Sequence, residues 1–186
     1  MQVSQRESWL LNFYRNSELH GALLMGKLAR TFRDPVLIVN LTRHCATEAH
    51  HSELLSDTIL KVDAPFDLET GTIQNHYASE GGLPNELVDL LVLSEILERR
   101  VLTSYRDHLA RLDVHPEVRS VLIQILHEME EEEHGAHAGW LEKALQRHPH
   151  DEVEAAESKW RAIDERVAAA LHRMVAKKFA ATPLAQ

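Results

Sequence analysis

The chain has 186 residues, of which 44% are hydrophobic, with seven glycines and six prolines. This composition is typical of one globular domain that buries roughly two-thirds of its unfolded surface. The formal net charge of -9 argues against a protein that coats nucleic acid or an anionic membrane, because either role needs a basic patch. The single cysteine, Cys45, excludes an internal disulfide and a four-cysteine iron site.

Two further features concern where the protein works. Residues 1–11 lack a cationic start followed by an apolar core, so no signal peptide is expected. No apolar run approaches the length of about 18 residues that a membrane helix needs. Together with the lone cysteine, this predicts a cytoplasmic protein that makes no membrane contact.

Hydrophobic periodicity predicts an all-α chain. The first two helices are predicted over residues 4–32 and 35–61, and Pro35 suits the first turn of the second. The next two are predicted over residues 85–112 and 116–147. Residues 63–84, rich in glycine and proline, form the one long connection, with room for a short helical turn. Its length suits a crossover along a four-helix bundle.

The last predicted helix covers residues 152–179. Its apolar residues alternate spacings of three and four, and no acid or histidine falls at core phase. We therefore divide the chain into a four-helix bundle over residues 1–147 and a C-terminal segment over residues 148–186. The C-terminal helix is predicted to pack on the bundle or to form a homodimer contact, and residues 180–186 to form a loose tail.

Each bundle helix carries an ionisable residue at core phase. The second helix has Glu48-x-x-His51 and the fourth has Glu131-x-x-His134. A spacing of three residues is nearly one helical turn, so both side chains of each pair leave the same helix face. Burying such groups is costly unless they are paired or bound to a metal.

The first and third helices contribute Glu18 and Glu98 at the same level of the bundle. Counted from the turns at residues 34 and 113, one glutamate on each helix lies 14 to 18 residues away. Any one of these glutamates alone is more readily interpreted as a surface residue. Their common order, phase and level favour one metal site. The predicted ligands are Glu18, Glu48, His51, Glu98, Glu131 and His134.

The chemistry explains the residue types. Carboxylates that bridge two neighbouring cations neutralise their repulsion, and one imidazole per metal completes a mixed oxygen and nitrogen shell that iron or manganese accepts. Glu48 and Glu131 are assigned as bridges, and Glu18 and Glu98 as terminal ligands. Glu95, one turn before Glu98, is the candidate catalytic residue. It is a proton donor, a further ligand, a hydrogen-bond partner or a structural residue.

Over about residues 17–145, this pattern of Glu, Glu-x-x-His, Glu, Glu-x-x-His resembles the ferritin-like superfamily of di-iron and di-manganese carboxylate proteins. The resemblance implies a ferritin-like four-helix bundle with a long crossover between its second and third helices, here followed by an additional helix. It also implies two bound iron ions as the cofactor, with manganese as the alternative.

Two branches of the superfamily look nearest. Rubrerythrins, which reduce peroxide, have two glutamates three residues apart on the third helix, as Glu95 and Glu98 are here. The chain lacks their cysteine-rich segment, so electrons would come from an external donor. The hydroxylases that modify a prenylated adenosine in tRNA have a third helix similar to VDLLVLSEILERR, with the ligand on Glu98. Storage ferritins are less similar.

The sequence therefore predicts an oxidoreductase that activates dioxygen or peroxide to oxidise or hydroxylate a small organic substrate, which the sequence does not name. A rubrerythrin-like peroxide scavenger or a ferroxidase that binds iron without an organic substrate is the alternative. A metal-free structural bundle is the third hypothesis. The acidic chain argues against a nucleic-acid substrate.

Overall fold

The computed structural model describes residues 2–134 and 139–179, with the side chains of 131–134 left out. Within these residues it contains helices and no strands, so the all-α prediction is confirmed. Seven helices are described there: α1 (Gln5–Ala29), α2 (Pro35–Lys61), α3 (Ile73–Gly81), α4 (Leu87–Leu109), α5 (Pro116–His134), α6 (Trp140–Leu145) and α7 (His150–Lys178).

The most extensive helix pair is α1 against α2. The turn between them is sharp because Asp34 caps α2, accepting hydrogen bonds from the backbone N–H groups of Val36 at 2.8 Å and Leu37 at 3.2 Å. Pro35 occupies the first turn, where a missing N–H group costs nothing. Helix α2 also contacts α5, and α4 contacts α5 and α6, which places the predicted glutamate-bearing helices side by side.

The crossover between α2 and α4 is held to α1 by polar side chains. Asn12 accepts a hydrogen bond from Asp67 N at 2.7 Å and donates one to Pro65 O at 3.0 Å. Ser17 Oγ accepts a hydrogen bond from Ile73 N at 3.0 Å, at the start of α3. The crossover thus contains a nine-residue helix where the sequence allowed only a short turn. Buried polar groups on α1 satisfy its backbone.

The C-terminal helix α7 packs on α4 and α3. Its Trp160 is fully buried and donates a hydrogen bond from Nε1 to Asp89 Oδ1 at 2.7 Å. The sequence predicts no acid at core phase on this helix, but an acid beside the apolar stripe also reaches the interface. Asp164 accepts a hydrogen bond from Arg100 Nε at 2.9 Å and another from the Tyr77 hydroxyl. The periodicity missed it because Asp164 flanks the apolar stripe and reaches its partners from the side.

The fourth bundle helix is not continuous over residues 116–147. Within the described residues, α5 extends to His134 and the short helix α6 begins at Trp140. Gly139, just before α6, has a φ angle of 69°, a left-handed conformation that glycine adopts without steric cost. Periodicity could not detect this interruption, because the apolar spacing continues through both helices. Other helix ends differ from the predicted ones by a few residues.

A single apolar core connects the helices. Its most enclosed side chains come from α1 to α5 and from α7 and include Leu11, Leu55, Ile59, Tyr77, Val92, Tyr105, Leu122, Ile125, Trp160 and Val167. None of the helices in the described ranges combines the length and apolar character needed to cross a lipid bilayer.

Candidate metal centre

A cavity of about 470 Å³ lies between α1, α2 and α4, with α5 and α6 closing it. Five predicted site residues line it, although they are up to 80 positions apart in the sequence. They are Glu18 on α1, Glu48 and His51 on α2, and Glu95 and Glu98 on α4. The helix packing therefore brings the described members of the predicted ligand set to one cavity.

Glu18 is almost fully buried, with 7% of its surface exposed. Its Oε1 accepts a hydrogen bond from the hydroxyl of Tyr105 on α4, and its Oε2 lies 3.5 Å from His51 Nδ1. Burial, reinforced by the charge of Glu18, raises the pKa of Tyr105 well above its usual range. The phenol therefore keeps its proton and holds the carboxylate in place as a donor.

Glu48 lies against the backbone of α1. A Cβ atom added to Gly21 would be 1.9 Å from Glu48 Oε2, so glycine is required for this approach. Glu48 Oε1 lies 3.1 Å from His44 Nε2, whereas its buried Oε2 accepts no hydrogen bond within the described part of the chain. Burial raises the pKa of Glu48 above its usual range, against the opposing effect of the His44 contact. A cation could offset this desolvation.

His44 stands between two carboxylates. Its Nε2 atom lies 3.1 Å from Glu48 Oε1 and 3.5 Å from Glu98 Oε1. Glu98 is the more exposed of the two, with 30% of its side chain accessible. The sequence places His44 one turn from Glu48 and predicts a supporting role, and the structure places it in the cavity wall itself. A protonated His44 would be the cation that holds these glutamates together in a metal-free bundle.

His51 is 2% exposed and has carboxylates on both sides of its ring. Its Nδ1 atom faces Glu18, and its Nε2 atom lies 3.5 Å from Glu128 Oε2 on α5. Nε2 forms no hydrogen bond within the described part of the chain, so Glu128 is a charged neighbour of the ring. The geometry thus turns Nδ1 towards Glu18, the direction that metal binding would need.

Glu95 lines the same cavity and forms an ion pair with Arg99 one turn further along α4. About a third of its side chain is exposed, at 32%. Its carboxylate therefore reaches solvent while it pairs with the arginine. This position is compatible with proton delivery to the cavity as well as with a purely structural ion pair.

Glu131 and His134 belong to the last turn of α5, and their side chains lie outside the described residues. Before them, Glu130 is exposed and pairs with Arg106 at 2.9 Å. Among the side chains that are described, no group of three or more His, Cys, Asp or Glu residues is arranged to hold a metal ion. Two of the six predicted ligands, Glu131 and His134, are not among those side chains.

Three residues of the site were missed from the sequence. Tyr105 follows Glu98 by seven residues, a two-turn spacing that places both on one face of α4. Glu128 precedes Glu131 by three residues and was hidden in an acidic run. Gly21 interrupts an apolar stripe three residues after Glu18, which is the pattern of a close backbone approach. Helical spacing from the predicted ligands could have indicated all three.

The donor set fits hard or borderline divalent cations such as iron or manganese. Glu18 and Glu48 form no ion pair with lysine or arginine within the described ranges. Their partners there are a tyrosine hydroxyl and two histidines. A buried carboxylate oxygen without a hydrogen bond, held in a cradle that only glycine permits, marks a position where a positive ligand would be stabilised.

The cavity also has an apolar side. Residues from four helices contribute to it, namely Leu24, Met25, Leu97, Val101, Leu102, Met129, Trp140 and Leu141. Carboxylates and imidazoles on one wall face hydrocarbon on another, an arrangement typical of sites that bind small organic molecules.

Comparison of the chain with family models, with curated proteins and with solved structures finds no match.

Proposed function

We propose that this chain is a ferritin-like di-iron oxidoreductase that oxidises or hydroxylates a small organic substrate with dioxygen or peroxide. The observation that carries the proposal is the convergence of Glu18, Glu48, His51 and Glu98 on one cavity. Glu131 and His134 complete the ligand set on the last turn of α5. This set, on helices in the order required, is that of the di-iron carboxylate bundles.

Each residue of the proposed site has its own role. Glu48 and Glu131 would be shared by the two ions, Glu18 and Glu98 would each hold one, and the imidazoles of His51 and His134 would supply a nitrogen ligand to each. Tyr105 restrains Glu18 through a hydrogen bond, and Glu128 lies beside His51. Bound iron supplies the redox chemistry that no side chain of this cavity provides. The apolar wall admits an organic substrate and excludes water around it.

The volume and lining of the cavity favour an organic substrate. A cavity of about 470 Å³ is large for a peroxide molecule and suits a small organic molecule. An external electron donor would be needed to reduce the iron, because the chain holds one cysteine and therefore no four-cysteine redox centre.

Metal analysis tests the central claim. Protein purified from iron-supplemented cells, or titrated anaerobically with Fe(II), should bind close to two irons per chain. The Glu48→Ala variant should lose most of that iron, whereas Glu53→Ala should keep it. Glu53 lies on the same helix and its side chain is 71% exposed. Equal iron contents in the two variants, or no iron in the parent protein, would refute the proposal.

A second candidate, a rubrerythrin-like peroxide scavenger, is favoured by one observation. Glu95 and Glu98 line the same cavity three residues apart. This function needs no organic substrate. If the iron-loaded protein consumes hydrogen peroxide rapidly with an artificial electron donor, and Glu95→Ala slows this consumption without loss of iron, the scavenger hypothesis replaces the oxygenase.

A further inference from the structure

The imidazole of His51 forms part of the wall of the metal cavity, and its two nitrogens face different neighbours. Nδ1 lies 3.5 Å from Glu18 Oε2, which lines the cavity. Nε2 faces helix α5, where it lies 3.5 Å from Glu128 Oε2. Glu128 is not one of the residues that line the cavity. The ring of His51 therefore separates the predicted metal site from a second polar region, between α2 and α5.

In this second region the carboxylate of Glu128 lies between two imidazoles. Its Oε2 atom is 3.5 Å from His51 Nε2 and 3.7 Å from His50 Nε2. Its Oε1 atom accepts a hydrogen bond from Gln124 Nε2 at 2.9 Å, which holds the carboxylate on α5. His50 and His51 are consecutive on α2, and their ring centroids are 6.4 Å apart. One carboxylate oxygen thus lies within reach of a nitrogen of each ring.

Exposure to solvent falls steadily along these three side chains. His50 is 48% exposed, Glu128 is 29% exposed and His51 is 2% exposed. Glu53, on the outer side of His50, lies 3.4 Å from His50 Nδ1 and adds negative charge at the surface. A series of nitrogen and oxygen ligands therefore leads from solvent to the ring that faces Glu18.

The spacing of these atoms suits a divalent cation that moves in steps. Two ligand atoms of one cation, at bond lengths of about 2.1 Å, are roughly 3.0 to 3.4 Å apart. Glu128 Oε2 is only slightly farther than this from each Nε2 atom. Among the described side chains, no group of three or more His, Cys, Asp or Glu residues is arranged to hold a metal ion, so each step offers two ligands. A cation with so few ligands is able to leave a step, as transit requires.

The other approach to the cavity passes Glu95 and Glu98, which are partly exposed. The charge of Glu95 is offset there by its ion pair with Arg99. The described contacts of Glu128 are instead an amide and two imidazoles, and Glu53 adds a second carboxylate nearby. A cation in solution is therefore attracted more strongly to the gap between α2 and α5.

We infer that divalent metal ions enter the cavity between α2 and α5, moving from His50 and Glu128 to His51 and then to Glu18. The ion passes His51 when its side chain rotates. The inference rests on the proposed function, because the route needs a metal centre at its inner end. It adds to that centre two residues, His50 and Glu128, which bind the metal only in transit and are not predicted ligands.

Co(II) is the probe, because its visible absorption changes when it binds nitrogen and carboxylate ligands. Stopped-flow mixing of Co(II) with chelator-treated full-length protein gives the association rate, and mixing the loaded protein with excess EDTA gives the release rate. In Glu128→Gln, association should slow about tenfold. Release should slow at least about threefold, because an ion leaves by the route through which it enters. His50→Ala should slow association about threefold, and both variants should bind as much Co(II) per chain as the parent protein.

The direction of the change in release separates transit from simple support of the site. If Glu128 acted only through its charge or by supporting His51, its loss would weaken binding and speed release. The matched control is Glu117→Gln, an exposed glutamate in the first turn of α5, which should leave both rates unchanged. Unchanged association in Glu128→Gln, or slower association with faster release, would overturn the inference. Circular dichroism checks that the variants remain folded.

The same measurements distinguish failure of the route from failure of the metal centre. If the parent protein binds neither Co(II) nor Fe(II), the proposed function fails and the inference fails with it. If the parent protein binds metal and Glu128→Gln loads and releases it as fast as Glu117→Gln does, the inference alone fails.

Discussion

Two regions of this molecule that contain carboxylates shielded from solvent differ in the partners that those carboxylates have. At the α4–α7 interface, Asp164 is paired with Arg100 and hydrogen-bonded by Tyr77, and Asp89 is bonded by Trp160 and by Lys159 at 2.9 Å. Each charge has a cation of its own. This interface is complete with protein groups alone.

In the cavity between α1, α2 and α4, Glu18 and Glu48 instead meet histidines and a tyrosine hydroxyl. The pKa of Glu48 is raised, which means that its charged form is disfavoured there. The pKa of Arg100 is raised at the other interface, mainly by its hydrogen bond to Asp164, so its charged form is favoured. One region pairs each carboxylate with a protein cation, whereas in the other we propose that a bound metal ion supplies the positive charge.

The largest expected effect breaks the complete interface. Asp164→Ala leaves a half-buried Arg100 without its carboxylate and should lower the free energy of unfolding by about 3 kcal/mol. Glu157→Ala removes the exposed ion pair with Arg161 on the same helix and should cost less than about 0.5 kcal/mol. Urea denaturation of both variants measures the difference. Similar losses in the two would show that α7 is not secured by this pair.

The next effect breaks the cradle of the metal cavity. Gly21→Ala should cost about 2 kcal/mol and abolish iron binding, because the new methyl group overlaps Glu48 Oε2. Gly26→Ala, on the same helix, meets only the Cys45 sulfur at 3.2 Å. Its gain in helix propensity opposes the cost of this tight contact, so Gly26→Ala should leave the free energy of unfolding nearly unchanged and should retain iron. If Gly21→Ala keeps its iron, Glu48 is not a ligand held in this position.

A pH effect of about 2 kcal/mol concerns a buried histidine outside both regions. Burial lowers the pKa of His108 to about 4, so the folded state resists protonation that the unfolded state accepts below about 6.5. The stability that His108 contributes is present above pH 6.5 and is lost as the pH falls towards 4. Wild type should therefore lose about 2 kcal/mol more than His108→Gln between pH 7 and 5 in urea titrations. Parallel losses would contradict a neutral buried His108.

The smallest effect has the opposite sign and is specific to the metal-free state. Because the folded-state pKa of Glu48 is raised, its contribution to stability is fully present below its unfolded pKa and is lost as the pH rises through the folded value. In chelator-treated protein at pH 7, Glu48→Gln should thus be more stable than wild type by about 1 kcal/mol. The gain should vanish near pH 4. Added Fe(II) should stabilise wild type and leave the variant unchanged.

The sequence predicts that these ionisable residues lie close together, for a physical reason. Burying an ionisable side chain costs free energy, so an ionisable residue at core phase on a helix indicates that it has a partner in the fold. Similar distances from the two turns predict that these residues lie at one level of the bundle. Glu18, Glu48, His51 and Glu98 indeed line one cavity. Helical periodicity is a local property, and local order along the chain determined the all-α class and the approximate extent of the helices.

Tertiary packing decided the rest. Distances between helices decide three contacts that no spacing along one helix encodes. They are the carboxylate that each nitrogen of His51 faces, the approach of Glu48 to Gly21, and the hydrogen bond from Tyr105 to Glu18. The same holds for the contacts of Asp164. The sequence by itself determined which ionisable residues lie at core phase and therefore need a partner when they are buried. Only the fold decided which of them meet protein cations and which face an open cavity, because contacts between helices set that choice.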